Sequence, residues 1–306
     1  MQRPVSTPSL VEVTDKAREF LRFGLHDDAV HLLMSHEADC RNEGIPHNGV
    51  WCANVSLLLG IVHRKRGEFD SAEQEITHAV QHFSQTGDAT NHACATLALG
   101  DVYRARAICE GDQHEAKVIW EQALELYRRA EGILVFLDRS SFLRTENQRL
   151  YPQILWAIGR VFLALATNLD VAAHNFGKAW KISRRLDFYW GQEECAQLIG
   201  RLAEARGNPR SARRWYRRSL CLSRQSGNVD RIMENLLYLA RLSQSTLENP
   251  SNVYDLANQA YEVVIPLLAN QSLPPSHQFH KYLAEARHLM KWGQSRIVHR
   301  EAEILE

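Results

Sequence analysis

Residues Leu198–Leu220 read LIGRLAEARGNPRSARRWYRRSL. An apolar run carrying Gly200 ends at Gly207, and polar residues then open a second run in which Ala212 and Tyr216 stand four positions apart. A glycine just past the last periodic residue closes a helix, and polar residues after it start the next. The stretch therefore predicts two helices joined by a short turn. Small residues at Gly200 and Ala212 let such helices cross closely, and the bulk of Tyr216 fills the space beside them.

The pattern recurs. LLLGIVHRKRGEFDSAEQEITHAV from Leu57, LALGDVYRAR with GDQHEAKVIWEQAL, and AIGRVFLALATNLDVAAHNFGKAW from Ala157 superpose on it. LYLARLSQS with YDLANQAYEVV and AREFLRFGLHDDAVHLL from Ala17 match in part. The first small residue is Gly60, Gly100, Gly159, Gly200 or Ala240, at separations of 40, 59, 41 and 40. The second is Ala72, Ala116, Ala172, Ala212 or Ala257, with Ala29 in the first unit. The large residue that follows is Ile76, Trp120, Phe176, Tyr216 or Tyr261, and Gly67, Gly111 and Gly207 are the expected helix-ending glycines. A fixed period near 40 marks a stack of helix pairs.

These features resemble the tetratricopeptide repeat in its long, roughly 40-residue form, over about residues 11–265. The resemblance implies an all-α, right-handed superhelical solenoid of about six antiparallel helix pairs, with the first helix of each pair lining the concave face. Residues 1–10 read as a short tail. Residues 275–306 read as a capping helix, with Phe279, Leu283, Ala286 and Met290 on one stripe. Two departures stand out. AICE adds about one turn between Tyr103 and Gly111, and the separation of 59 leaves an insertion near 131–152. The helix before that insertion is expected to stop near Asp138 or Ser140, and the insertion is either a spacer or the carrier of an individual function.

Lys plus Arg equals Asp plus Glu at 36 each, so no global field draws the chain to nucleic acid or membrane. No run of 18 apolar residues and no signal-like leader occurs. The six cysteines, Cys40, Cys52, Cys94, Cys109, Cys195 and Cys221, lack C-x-x-C spacing and read as reduced packing residues of a cytoplasmic protein. Phosphate-binding glycine loops, nucleophile elbows and H-E-x-x-H are missing, so no enzyme and no cofactor is expected. Glu75, His78 and His82 share a helical face, but two imidazoles on one helix need further metal ligands that nothing specifies. His36 with Cys40 is the same weak pattern, and His277 with His280 reads as polar surface.

The face expected to line the groove is more informative. One residue beyond each small position stand Arg18, Ile61, Asp101, Arg160, Arg201 and Arg241; three further on are Arg64, Arg104 and Glu204, with Lys65 beside the first. The planar fork of arginine suits carboxylate or phosphate, so an acidic guest is implied. The alternative is internal pairing with Asp101, Glu194, Glu204 and Glu234. Asn54, Gln153 and Gln197 fall nearby and could hydrogen-bond a peptide backbone. In the family's dicarboxylate-clamp branch Lys and Asn stand where this chain has Thr14, Arg18, Leu58, Cys94 and Ala98, so a receptor for chaperone tails is not expected.

A second basic feature is SARRWYRRSL, where Arg210, Arg213, Arg214, Arg217, Arg218 and Arg224 are expected to share one side of a helix with no aromatic residue interleaved. Such a face is either solvated or meets phosphate. The expected function is a protein-interaction module, an adaptor or regulatory sensor, binding an acidic or helical peptide. The alternative is a nucleic-acid-associated protein using the arginine-rich helix. The long-repeat branch includes peptide-sensing bacterial regulators. Their N-terminal DNA-binding domain is not expected here, with about ten residues ahead of the first helix.

Overall fold

The computed structural model describes residues 12–14, 16–17, 20, 28–35, 49–137, 145–246, 249–270 and 278–305. Among these the regular structure is helical. Eleven helices are followed here: α1 (Gly49–Arg66), α2 (Phe69–Gln85), α3 (Ala89–Cys109), α4 (Gln113–Val135), α5 (Thr145–Ala164), α6 (Leu169–Arg185), α7 (Tyr189–Ala205), α8 (Pro209–Ser226), α9 (Val229–Ser245), α10 (Pro250–Asn270) and α11 (Gln278–Leu305). The chain divides into two compact units, Met1–Leu165 and Ala166–Glu306, and the division falls between the two helices of the fourth predicted repeat.

In the first unit α1 packs on α2, α2 on α3, α3 on α4 and α4 on α5, while α3 also touches α1 and α5. The helical pieces at 12–14, 16–17 and 28–35 bury Val13, Ala17, Ala29 and Leu33 against Val55, Leu58 and Val62 of α1. In the second unit α6 through α11 pack in chain order, and α11 reaches back to α9. Leu283, Ala286 and Leu289 of α11 are buried there. A Cβ on Gly293 would stand 3.0 Å from the Pro250 carbonyl oxygen, so α11 and α10 cross nearly backbone to backbone.

The small-to-large pairing can be read directly. A Cβ at Gly60 would lie 2.4 Å from Ile76, and one at Gly200 would lie 2.6 Å from the Tyr216 ring, the two partners expected. Gly100 differs: its close neighbour is Tyr127, at 2.6 Å, and not Trp120. The reason is length. Helix α3 has 21 residues where α7 and α9 have 17. The hairpin apex therefore lies about a turn farther off, and the returning chain regains the level of Gly100 about two turns beyond Trp120.

Turn chemistry also departs from expectation at one point. Gly67 and Gly207 have φ of +82° and +68°, the left-handed region that favours glycine. Gly111 does not. There Glu110 leaves α3 in an extended conformation, and its Oε1 accepts hydrogen bonds from the backbone N–H of Gly111 (2.8 Å) and Asp112 (3.1 Å). The turns from second helices to first helices use Gly87, Asp187 and Gly227, with φ of +71°, +46° and +71°. Asp88, Asp112, Asn208 and Asn228 cap the helices that follow by accepting from backbone N–H groups. Helix α4 ends at Val135, short of Asp138, once Leu134 has made its last buried contact; Phe136 beyond it is 89% exposed.

Two arginines tie neighbouring repeats. Arg106 at the end of α3 donates to Asp70 (2.8 Å) and Glu73 (3.0 Å) at the start of α2, and Tyr103 donates to Glu73 at 2.5 Å. Arg206 at the end of α7 donates to Asp170 (2.5 Å) and to the Leu169 carbonyl (3.0 Å) at the start of α6. The separation in sequence is 36 residues in both cases.

Candidate functional site

Three consecutive first helices of the first unit aim arginines at one carboxylate. Asp101 on α3 accepts from Arg104 Nε at 3.0 Å and from the Tyr127 hydroxyl at 3.0 Å. Arg64 from α1 and Arg160 from α5 add their charge to the same point. Burial would raise the Asp101 pKa, but Arg104, Arg64 and Arg160 outweigh it and hold the carboxyl down at about 2. Burial pushes the Tyr127 phenol well above its ordinary range, with the Asp101 charge adding to it. Burial also lowers the Arg64 pKa, against the attraction of Asp101. The Nε of Arg64 is buried and has no hydrogen-bond partner among the described residues. Three guanidinium groups thus converge on a single carboxylate.

The structure thus brings together Arg64, Asp101, Arg104 and Arg160 of the expected set. Gln153 precedes Arg160 by two turns on α5 and donates to the Arg149 carbonyl at 3.2 Å. Asn54 lies half-buried on α1 and Lys65 is exposed in its last turn. Arg18 lies outside the described residues, as do His36, Cys40 and His277.

The second unit has a different centre, of which the sequence reading named Glu194, Gln197 and Glu234 but neither Arg231 nor Glu193. Glu193 and Glu194 are buried on α7 at 0% and 1% exposure. Arg231 of α9 bonds Glu194 and the Gln197 side-chain oxygen, and meets Glu234 at 2.7 Å. Gln197 donates in turn to Glu234 at 2.9 Å, and Tyr282 of α11 donates to the other Glu234 oxygen at 2.6 Å. Asn228 donates to Glu193 at 3.0 Å. One arginine therefore serves several carboxylates, and Gln197 is a member of that network. The available signal was the run Gln192-Glu193-Glu194 before Cys195, charge at a helical level where packing demands burial.

Neither Arg201 nor Arg241 takes the expected internal partner. Arg241 pairs with Glu285 of α11 at 2.9 Å and lies over the Tyr238 ring at 4.7 Å. Glu204 accepts from the Tyr216 hydroxyl at 2.6 Å, and Arg201 stands close enough to act on that phenol. Burial and Glu204 raise the Tyr216 pKa far above its usual value.

The six arginines of α8 lie on the side opposite its buried residues Ala212, Tyr216, Ser219, Leu220 and Ser223, and those at the edges of that side meet neighbouring helices. Arg218 lies over the Trp180 ring of α6 at 5.6 Å, Arg224 donates to Gln259 of α10 at 3.2 Å, and Arg213 reaches Thr246 at 3.5 Å. Arg210, Arg214 and Arg217 face outward and are exposed. An angular step of 100° per residue places all six within an arc of roughly 140°. Trp180 and Trp215 meet edge to face at 5.4 Å between α6 and α8, at the edge of that arc.

Among the described residues no group of three His, Cys, Asp or Glu is placed to hold a metal ion. His78 Nδ1 lies 3.2 Å from Ser56 Oγ. Cys195 is buried as a packing residue should be, but Cys52, Cys109 and Cys221 are exposed, on the outward sides of their helices. No helix among the described residues is long and apolar enough to cross a membrane.

No family model and no curated protein matches the chain. Solved structures do. The thermophilic TPR protein TTC0263 of Thermus thermophilus aligns at TM-score 0.55 and 16% identity over 76% of this chain and 99% of that one. The apo form of RapI aligns at 0.57 and 12% over 92% and 98%. A Rap protein complexed with Competence and Sporulation Factor aligns at 0.55 and 12% over 96% and 91%. At these identities the likeness is one of fold.

Proposed function

From a chain with the tetratricopeptide-repeat fold, we propose a cytoplasmic protein-interaction module, an adaptor or regulatory sensor, that holds an acidic segment of a partner protein on the first unit. The carrying observation is the convergence of Arg64, Arg104 and Arg160 on one point, with a buried Arg64 Nε that has no acceptor among the described residues. A buried donor without an acceptor costs about 1–3 kcal/mol, so a guest carboxylate that supplies the acceptor recovers that energy. Asn54 and Gln153 flank the cluster on α1 and α5 and suit a peptide backbone, since side-chain amides both donate and accept. The Rap complex with Competence and Sporulation Factor supports the reading as a case in which this fold holds another molecule. Arg201 and Arg241 belong to the other unit and are left out of the proposed contact.

The test is binding of fluorescent Asp/Glu-rich peptides against neutral peptides of equal length. Arg64→Ala with Arg160→Ala should weaken the acidic peptides at least tenfold, and Arg241→Ala should leave them unchanged. Equal binding of acidic and neutral peptides, or an equal loss in both variants, would sink the proposal.

A further inference from the structure

The second unit carries a surface of different character. Helix α8 contains six arginines and no Asp or Glu, and α6 contains Lys178, Lys181, Arg184 and Arg185 against one carboxylate, Asp170, which Arg206 already engages at 2.5 Å. The Trp180–Trp215 contact sets the two helices side by side, so their outward faces form one surface. Lys181, Arg184, Arg185, Arg210, Arg214 and Arg217 are exposed there and form no ion pair among the described residues. Arg210, Arg214 and Arg217 fall at i, i+4 and i+7, a ridge along the helix roughly 10 Å long.

We propose that the outer face of α6 and α8 binds the phosphodiester backbone of a nucleic acid. A surface of many cations and one carboxylate, itself engaged by Arg206, suits a ligand of uniform, regularly spaced negative charge. Protein interfaces, in contrast, deplete charge at their centres and place apolar residues there. Anionic membrane is disfavoured because no large exposed hydrophobic residue lies on α6 or α8, and surface-bound helices insert such residues. The contact is read from backbone charge, so it carries no base preference.

The experiment is fluorescence anisotropy of the full chain with a labelled mixed-sequence 20-nucleotide single-stranded RNA and with a DNA duplex of the same length, between about 50 and 200 mM salt. Engagement of about four phosphates gives a slope of log K against log salt near −3 for the single strand and near −3.6 for the duplex. The sizes of the two slopes distinguish the strand forms. Changing Lys181, Arg210, Arg214 and Arg217 together to Gln should abolish binding at 200 mM. Arg214→Gln alone, an exposed change to a good helix former, should shallow the slope by about 0.7–0.9. The Arg64→Ala, Arg160→Ala protein should bind nucleic acid normally, which separates this proposal from the peptide site. Absence of binding at 50 mM salt, a slope untouched by Arg214→Gln, or displacement of the RNA by poly-glutamate or phosphatidylserine vesicles at equal charge concentration would overturn it.

Discussion

The two units solve the same packing problem with opposite charge. In the first, Arg64, Arg104 and Arg160 surround Asp101; in the second, Arg231 stands among Glu194 and Glu234 with Glu193 nearby. The balance extends beyond the clusters. Residues 1–165 hold 17 Lys and Arg against 22 Asp and Glu, and residues 166–306 hold 19 against 14, so the neutral total conceals two charged halves. In each unit the inner cluster runs against the unit's own excess. A repeated backbone therefore fixes where side chains point and leaves open what sign they carry, so position within the repeat does not assign a role to an arginine.

The sharpest way to break this contrast is Arg231→Leu. It strands Glu194 and Glu234 without their cation, and uncompensated buried charge costs about 3–5 kcal/mol. Chemical denaturation should show that loss in the second unit; a loss under about 1 kcal/mol would mean the carboxylates are solvated and the contrast is superficial. The next effect is acid sensitivity of the first unit. The Asp101 carboxyl is depressed from 3.8 to about 2 in the folded chain, so its stabilisation is complete above pH 4 and lost as pH falls from about 4 to 2. That is about 2 kcal/mol, and Asp101→Asn should remove this step from the stability-versus-pH curve. The smallest effect compares turns. Asp187 stands at φ +46° where Gly87 and Gly227 occupy the equivalent turns, so Asp187→Gly should stabilise the second unit by up to about 1 kcal/mol in a thermal melt. A decrease would show that the aspartate side chain holds that turn.

The repeats were legible because glycine at a helix crossing leaves a periodic mark, as Gly60 with Ile76 and Gly200 with Tyr216 demonstrate. Gly100 misled because the added turn of α3 shifts the level at which α4 passes it, an effect no local window reports. Of the expected groove, Arg64, Asp101, Arg104 and Arg160 converge because they sit near one level of α1, α3 and α5. Of the residues that Gln197 meets, Glu234 was legible as an internal acceptor and Arg231 was not. Arg231 lies 34 residues away, too far for local spacing to pair it with the charged run at Glu193 and Glu194. Arg241 shows the limit from the other side, since its partner Glu285 comes from α11, beyond the last repeat.

The hydrogen bonds from Arg104 and Tyr127 to Asp101 have a consequence for how a guest would be met. Side chains already tethered to one another have surrendered their rotamer freedom during folding. Ordering a free arginine on association costs about 0.5–1.5 kcal/mol, and Arg104, already held, escapes most of that cost. Helix α3 is restrained on its other flank as well, by Tyr103 and Arg106 against Glu73 and Asp70. A ligand arriving at Asp101 would therefore encounter a rigid mould, and its affinity would be set by how well its own shape matches and hardly at all by adjustment of the protein.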